Sequence, residues 1–243
     1  MALYELYVNC VKRHLEQEEL TFKSDPDYQY MTEHSNQGHI GSQFLGLIKN
    51  EFGLTPAEIM RFTTLNDSIG KPELVNYSVI PPCSPTSLRY VYHAHLFLKH
   101  LQRLGITNPN IVELGGGYGG LCLAIHTYAE KFGVTPRQYS IIDLDIPGKL
   151  QRRVLDIYGY SDVKCLNAEN FGAEIDQDSV LVSTYAFSEI EEHLRQQYVE
   201  VLFPKITHGF IVWNSIPVYD MGKTLLVENE RPMTGSMNRF VYF

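Results

Sequence analysis

The sequence predicts an α/β fold: a mostly parallel sheet with helices on both faces, preceded by a helical N-terminal cap. Two observations carry this. From residue 84 onward, short apolar strand patterns alternate with amphipathic helical ones. The strands are too continuously apolar for a sheet wetted on one face, so both faces must be covered.

The first 83 of the 243 residues have a different texture from the rest. Leu6, Tyr7, Cys10, Val11 and His14 recur at three- and four-residue steps, the spacing of an amphipathic helix. A polar stretch at 24–27 follows, then a second helical pattern at 42–52 and a short one opened by Pro56 and ending near Phe62. Turn formers gather at 66–72 and 81–85, and strand signal is sparse, so residues 1–83 read as a cap packed on something larger. The core is expected over 84–243. Ser84 and Pro85 make an N-cap and first-turn pair for a helix whose apolar face runs from Leu88 to Leu101. Strands are expected at 110–114, 139–144, 163–166, 179–183 and 209–213, and helices at 121–131 and 149–158. Ser188 and Glu191 have the spacing of a capping box opening a helix over 188–203. Residues 223–227 and 238–243 alternate as a terminal antiparallel pair.

Composition narrows the function classes. Apolar residues make up 44 % and charged residues 20 %, which excludes wholesale disorder. With 20 Lys and Arg against 28 Asp and Glu, the net charge is −8, and the basic residues are scattered, which argues against nucleic acid as a partner. No apolar run reaches the roughly 18–20 residues that span a bilayer, and the first residues lack a signal peptide's basic flank. Cys10, Cys83, Cys122 and Cys165 lie far apart, as neither a disulfide framework nor a zinc knuckle. The expectation is a cytoplasmic protein with a small-molecule partner and no membrane association.

The most informative segment is Glu113-Leu114-Gly115-Gly116-Gly117-Tyr118-Gly119-Gly120. Glycines between a strand and a helix let the backbone turn sharply and approach a ligand without Cβ interference. Such a loop, at the carboxyl end of the first parallel strand, lies where open α/β sheets bind ligands. The same letters satisfy a dinucleotide fingerprint and the loop that binds S-adenosylmethionine. Charge separates them. A diphosphate on the loop would be repelled by Glu113, whereas an ammonium and a sulfonium are favoured by it. Asp143, at the end of the second strand, can accept both hydroxyl hydrogens of a ribose. Asp145 competes for that role, with helix capping as its alternative.

With residues 67–72, 84–90, 111–121, 139–144 and 183–189 taken together, the chain resembles the class I S-adenosylmethionine-dependent methyltransferases, and within them the sugar O-methyltransferase family of bacterial and viral glycan clusters. The resemblance covers about residues 66–215. It implies a Rossmann-like, seven-stranded core whose last strand is antiparallel, with S-adenosyl-L-methionine as cofactor. It further implies cofactor contacts from Glu113, Gly115, Gly116, Gly117, Tyr118, Asp143, Asp145 and Ser183, and adenine recognition by the segment holding Glu169 and Asn170. One departure is Asp143-Leu144-Asp145, where relatives often carry Asp-Leu-Pro, leaving both aspartates as ribose candidates. The first 60 residues match nothing, so the acceptor is not inherited.

Methyl transfer to a hydroxyl needs alignment and removal of a proton. Glu189, after the fourth strand, is the first candidate base, with helix-dipole stabilisation as its structural alternative. Tyr185 and Tyr118 are rim aromatics able to face a sulfonium or a sugar ring. Arg89 and His93 share a face of the helix opened by Pro85, where Arg89 could hold an anionic group and His93 act as base. The nine histidines show no metal-binding spacing, since His93 and His95 point apart on a helix. Two rivals remain: an NAD-dependent oxidoreductase, which needs a second catalytic region that the short strands after Asn214 do not offer, and a catalytically silent scaffold.

Overall fold

A computed structural model of the chain describes residues 2–32 and 38–243, with side chains from Tyr4 onward. The cap consists of α1 (Ala2–Leu15), α2 (Pro26–Met31), α3 (Gly38–Phe52) and α4 (Pro56–Asp67), then a hairpin of β1 (Val75–Tyr77) and β2 (Ile80–Cys83). The hairpin and α2 escape the sequence reading. Pro81 and Pro82 lack ladder donors and argue against a strand, yet a two-stranded edge tolerates them. Asp25 caps α2 by accepting from the Asp27 amide, with Pro26 in the first turn, so the polar stretch is a helix start.

The core opens with α5 (Pro85–Arg103), capped as expected by Ser84. It continues through β3 (Asn110–Leu114), α6 (Gly120–Tyr128), β4 (Gln138–Asp143), α7 (Asp145–Ile157), β5 (Lys164–Asn167) and β6 (Ser179–Thr184). Then come α8 (Ala186–Glu189), α9 (Glu192–Val201), β7 (Ile206–Trp213), β8 (Leu226–Asn229) and β9 (Arg239–Tyr242). The seven strands lie in the order β5-β4-β3-β6-β7-β9-β8, with β3 to β7 parallel and β9 antiparallel to both neighbours. This is the mostly parallel, doubly covered sheet expected, and its strand order reverses at β3, where a ligand crevice forms.

Two details differ from the sequence reading. The helix placed at 188–203 is two helices, because the Ser188 hydroxyl donates to the Tyr185 carbonyl (2.7 Å) and accepts from the Asn214 amide (2.9 Å). It is therefore not free to cap, and Glu191 precedes α9 without a side-chain cap. In addition, α7 begins at Asp145 rather than Lys149, which puts Asp145 in its first turn.

Alternate strand residues feed two cores, as a period of two requires. Ile111, Ile141, Val182 and Phe210 face α5, α6 and the cap helices, and Val112, Ile142, Leu181 and Ile211 face Phe187, Tyr198 and Leu202. The first cluster runs unbroken into the cap through Tyr7, Phe22, Phe44 and Phe62. Among the described residues, no helix is long and apolar enough to cross a membrane.

A buried polar bridge joins cap to core. Asp67, ending α4, accepts from the Ser84 amide and hydroxyl (both 2.8 Å) and from the Ser87 hydroxyl (2.6 Å). Asn66 donates to Ser87 (2.7 Å) and accepts from the Tyr118 hydroxyl (2.8 Å), while its carbonyl takes the Lys23 ammonium (2.6 Å). Replacing the Asn66 side chain removes its buried hydrogen bonds to Ser87 and Tyr118, while its carbonyl bond to Lys23 remains. Asn66→Ala should lose about 2–4 kcal/mol in urea unfolding. Ser68→Ala, two residues on at the surface, should lose less than about 1 kcal/mol. Equal losses would show that the bridge carries no special weight.

Candidate active site

The carboxyl ends of β3, β4, β6 and β7 open into a cleft roofed by α1. Two connected chambers share Tyr4, Tyr7, Gly115, Asp143 and Ala186. One, about 530 Å³, is walled by Ile142, Leu144, Ala168, Phe171, Leu194 and Tyr198, an apolar slot suited to a planar base. The other, about 300 Å³, is polar and lies over the glycine loop. Among the described residues, its charged lining is three carboxylates (Glu113, Asp143, Glu189) and one guanidinium, Arg89. That balance favours a cationic guest over a diphosphate.

The loop geometry needs glycine at two points. Gly115 has φ +73°, and a Cβ there would collide with Ala186. Gly117 has φ +59°, and a Cβ there would meet nothing within 4 Å, standing instead in the open cleft. Gly116 lines the polar chamber between them.

Glu113 is fully buried and accepts from the Tyr139 hydroxyl (2.7 Å). Burial pushes its carboxyl up to about 7, against the pull of that hydrogen bond. Asp143, at the end of β4, accepts from the Leu144 amide (2.8 Å) and from Gln151 (2.7 Å). Burial pushes it up to about 6, opposed by those bonds and by the Gly116 and Gly117 amides. Gln151 also donates to the Gly117 carbonyl (3.0 Å) and so ties the loop to Asp143. Asp145 points elsewhere, into an exposed pair with Lys149 at 2.7 Å, and lines neither chamber.

The remaining candidates divide by position. Glu169 lines the apolar chamber, whereas Asn170 lines neither and bonds to Glu174 (2.6 Å). Ser183 lies beneath the loop, donating to the Leu114 carbonyl (2.9 Å) and accepting from the Phe187 amide (3.1 Å). Tyr118 is turned away from the cleft; its ring packs against Phe22 and Tyr90, and its hydroxyl belongs to the Asn66 bridge. Tyr185 does line the polar chamber, with the strained backbone (φ +68°) often found at functional turns. Its hydroxyl donates to Glu230 (2.5 Å), and burial beside that carboxylate raises its pKa. Arg89 lies over the Tyr185 ring at 5.7 Å and donates to the Thr32 carbonyl (2.9 Å). His93 sits behind that ring, at 5.9 Å, fully buried among Phe44, Phe210 and Phe240 and outside both chambers. Glu189 stands at the mouth, where partial desolvation raises its pKa and the Asn214 amide, donating to it, opposes the shift.

Several lining residues escape sequence reasoning. Tyr4 and Tyr7 come from the cap, where the helical period marks them only as core. Thr234 and Asn238 come from the C-terminal strap, held by Glu230 in a chain running Tyr185–Glu230–Thr234–Asn238–Ser215. Asn214 alone carried a signal, since it directly follows a parallel strand.

No family model and no curated protein matches the sequence. Among solved structures, the chain is similar to a protein from Galdieria sulphuraria described as a sarcosine dimethylglycine methyltransferase. There the identity is 17 %, over 53 % of this chain and 48 % of that one, with a TM-score of 0.40. It is similar to the mitomycin 7-O-methyltransferase MmcR at 11 % identity over 100 % and 68 %, with a TM-score of 0.41. It is also similar to a mutant of MtNAS at 14 % identity over 99 % and 96 %, with a TM-score of 0.43. The chain spans about half the length of the first of these.

The raised carboxyls have a stability consequence. Between roughly pH 4 and pH 7 the folded chain holds protons on Glu113 and Asp143 that the unfolded chain has released. Their contribution is full below the unfolded values and is lost as pH rises through the folded ones. Glu113→Gln removes the Glu113 part. Chemical denaturation should find the variant gaining about 1–3 kcal/mol on the wild type as pH rises across that window. A pH-independent difference would contradict the shift.

Proposed function

We propose that the chain is an S-adenosylmethionine-dependent O-methyltransferase acting on a hydroxyl of a sugar or nucleotide-sugar. The observation that carries this reading is the pairing of Glu113 and Asp143 with the bare backbone of Gly115 to Gly117. A buried and a half-buried carboxylate there favour an ammonium and a sulfonium and disfavour a pyrophosphate.

The chain's residues fit such a cofactor. The apolar chamber accepts a planar base, with Glu169 at its edge to accept from an exocyclic amine. Asp143 stands between the chambers, where it can accept from ribose hydroxyls. Glu113, its proton displaced by a cationic guest, would supply negative charge on the polar side, and Gly117 leaves room that any side chain would fill. When bound, the cofactor supplies an electrophilic methyl group. The protein's tasks are then to align an acceptor and take its proton. A sugar hydroxyl is far too weak an acid to ionise unaided near neutrality. Glu189, its affinity for protons raised and its carboxylate oriented by Asn214, is the group at the chamber mouth suited to accept that proton. Tyr185, fixed by Glu230, and Arg89 supply an aromatic wall and polar contacts for the acceptor.

Thermal unfolding with S-adenosylhomocysteine, S-adenosylmethionine and NAD tests the reading. At about 100 times its dissociation constant a true ligand adds ~2.7 kcal/mol. Stabilisation is expected from the two sulfur nucleosides. Stabilisation by NAD alone would point to an oxidoreductase, and none at all to a silent scaffold. By calorimetry, Asp143→Ala should weaken S-adenosylhomocysteine binding at least tenfold, and Asp145→Ala less than about twofold. Equal losses would reassign the ribose contact. Glu189→Gln should slow turnover by about 10²–10⁴ with nearly unchanged cofactor affinity. Unchanged turnover would remove Glu189 from the role of base.

A further inference from the structure

Away from the cleft, the fold assembles three side chains of metal-ligand type that the sequence scatters over sixteen positions. Cys10 and His14 lie one turn apart on the same face of α1, and Asp25 caps α2 from the turn opposite. Their ligand atoms all lie within 4.8 Å of one another. Tetrahedral ligands of zinc, at bond lengths of about 2.0–2.3 Å, stand roughly 3.3–3.6 Å apart. His14 Nε2 is already 3.0 Å from Asp25 Oδ2. The geometry points to a divalent-metal site, of zinc type, formed by Cys10, His14 and Asp25.

The surroundings support it in three ways. Thr21 donates its hydroxyl hydrogen to Gln17 (3.3 Å), so toward His14 Nδ1, at 3.4 Å, it is an acceptor. Thr21 thus stands at the outer nitrogen of His14 and leaves Nε2 directed at Asp25, the kind of outer partner that orients metal-bound histidines. At 3.0 Å, His14 Nε2 and Asp25 Oδ2 share either an imidazole hydrogen or a metal ion between them. Charge also balances: a dication and Arg13 together offset Asp25, Asp27 and a Cys10 thiolate, with His14 neutral. Finally, Cys10 and His14 are buried whereas Asp25 is partly exposed, so the site is sealed on the helix side with one side toward solvent for a fourth ligand. Burial leaves Cys10 no approach for a substrate, which separates this set from a cysteine–histidine catalytic pair.

Metal binding here would clamp α1, three residues beyond Tyr7 in the cleft roof, to the start of α2. The test uses the chelator-treated full chain. Equilibrium dialysis should find one equivalent of Zn²⁺ retained, with a rise in unfolding temperature. Co²⁺ should give a thiolate-to-metal charge-transfer band and tetrahedral visible bands. Cys10→Ser should abolish the charge-transfer band, and Cys10→Ser and His14→Gln should each weaken Co²⁺ binding by more than the roughly 10–100-fold that loss of an outer partner costs. A wild-type cobalt spectrum without the thiolate band would overturn the proposal, even if neither variant folds. So would failure to retain zinc, leaving a plain His14–Asp25 hydrogen bond in its place.

Discussion

The fit of the cap onto the core depends on one polar bridge, the set of hydrogen bonds that Asn66 and Asp67 make to Ser84, Ser87 and Tyr118. It joins the last cap helix, the first core helix and the glycine loop at a single point. Buried polar groups of this kind are costly unless all are paired, so the arrangement tolerates little displacement. Through it the cap is held in register with the loop. A second tether fixes the roof: Arg153 on α7 donates to the carbonyls of Leu15, the last residue of α1, and of Gln17 and Glu18 just past it. A cation there also complements that helix's dipole. With both ends of the cap tied down, Tyr4 and Tyr7 stand over the cleft.

The cleft holds carboxylates where a solvent-poor environment resists them. Glu113 and Asp143 are both pushed upward by burial, and their hydrogen bonds only partly offset that shift. Folding alone gains nothing from such charges. Under the proposed function, a cationic guest would relieve that cost, as in clefts where perturbed carboxyls meet a ligand. Tyr185, strained at φ +68° and anchored by Glu230, fits the same pattern.

What was legible in the sequence was what local chemistry dictates. The glycine loop after an apolar strand, the alternation of strands and helices, and Asp143 at a strand end all rest on short-range patterns. Between Asp143 and Asp145, the helix beginning at Asp145 decides which carboxylate faces the loop. What remained hidden depends on tertiary partners. Tyr118 looks like a rim aromatic until Asn66, fifty-two residues earlier, takes its hydroxyl. Ser188 looks like a cap until Asn214 occupies it. The roofing tyrosines and the Glu230–Thr234–Asn238 strap carry no periodic signal of their function, because their contacts form only when distant segments meet.

The central claim is that the cleft over Gly115 to Gly117 is built for a positively charged sulfur nucleoside. A crystal structure of the chain soaked with S-adenosylhomocysteine tests it most directly. The base should lie between Leu144, Phe171 and the α1 tyrosines, the ribose against Asp143, and the amino group on the Glu113 side of the loop. A dinucleotide seated there with its diphosphate on the glycine amides, while the sulfur nucleoside leaves no density, would contradict the account.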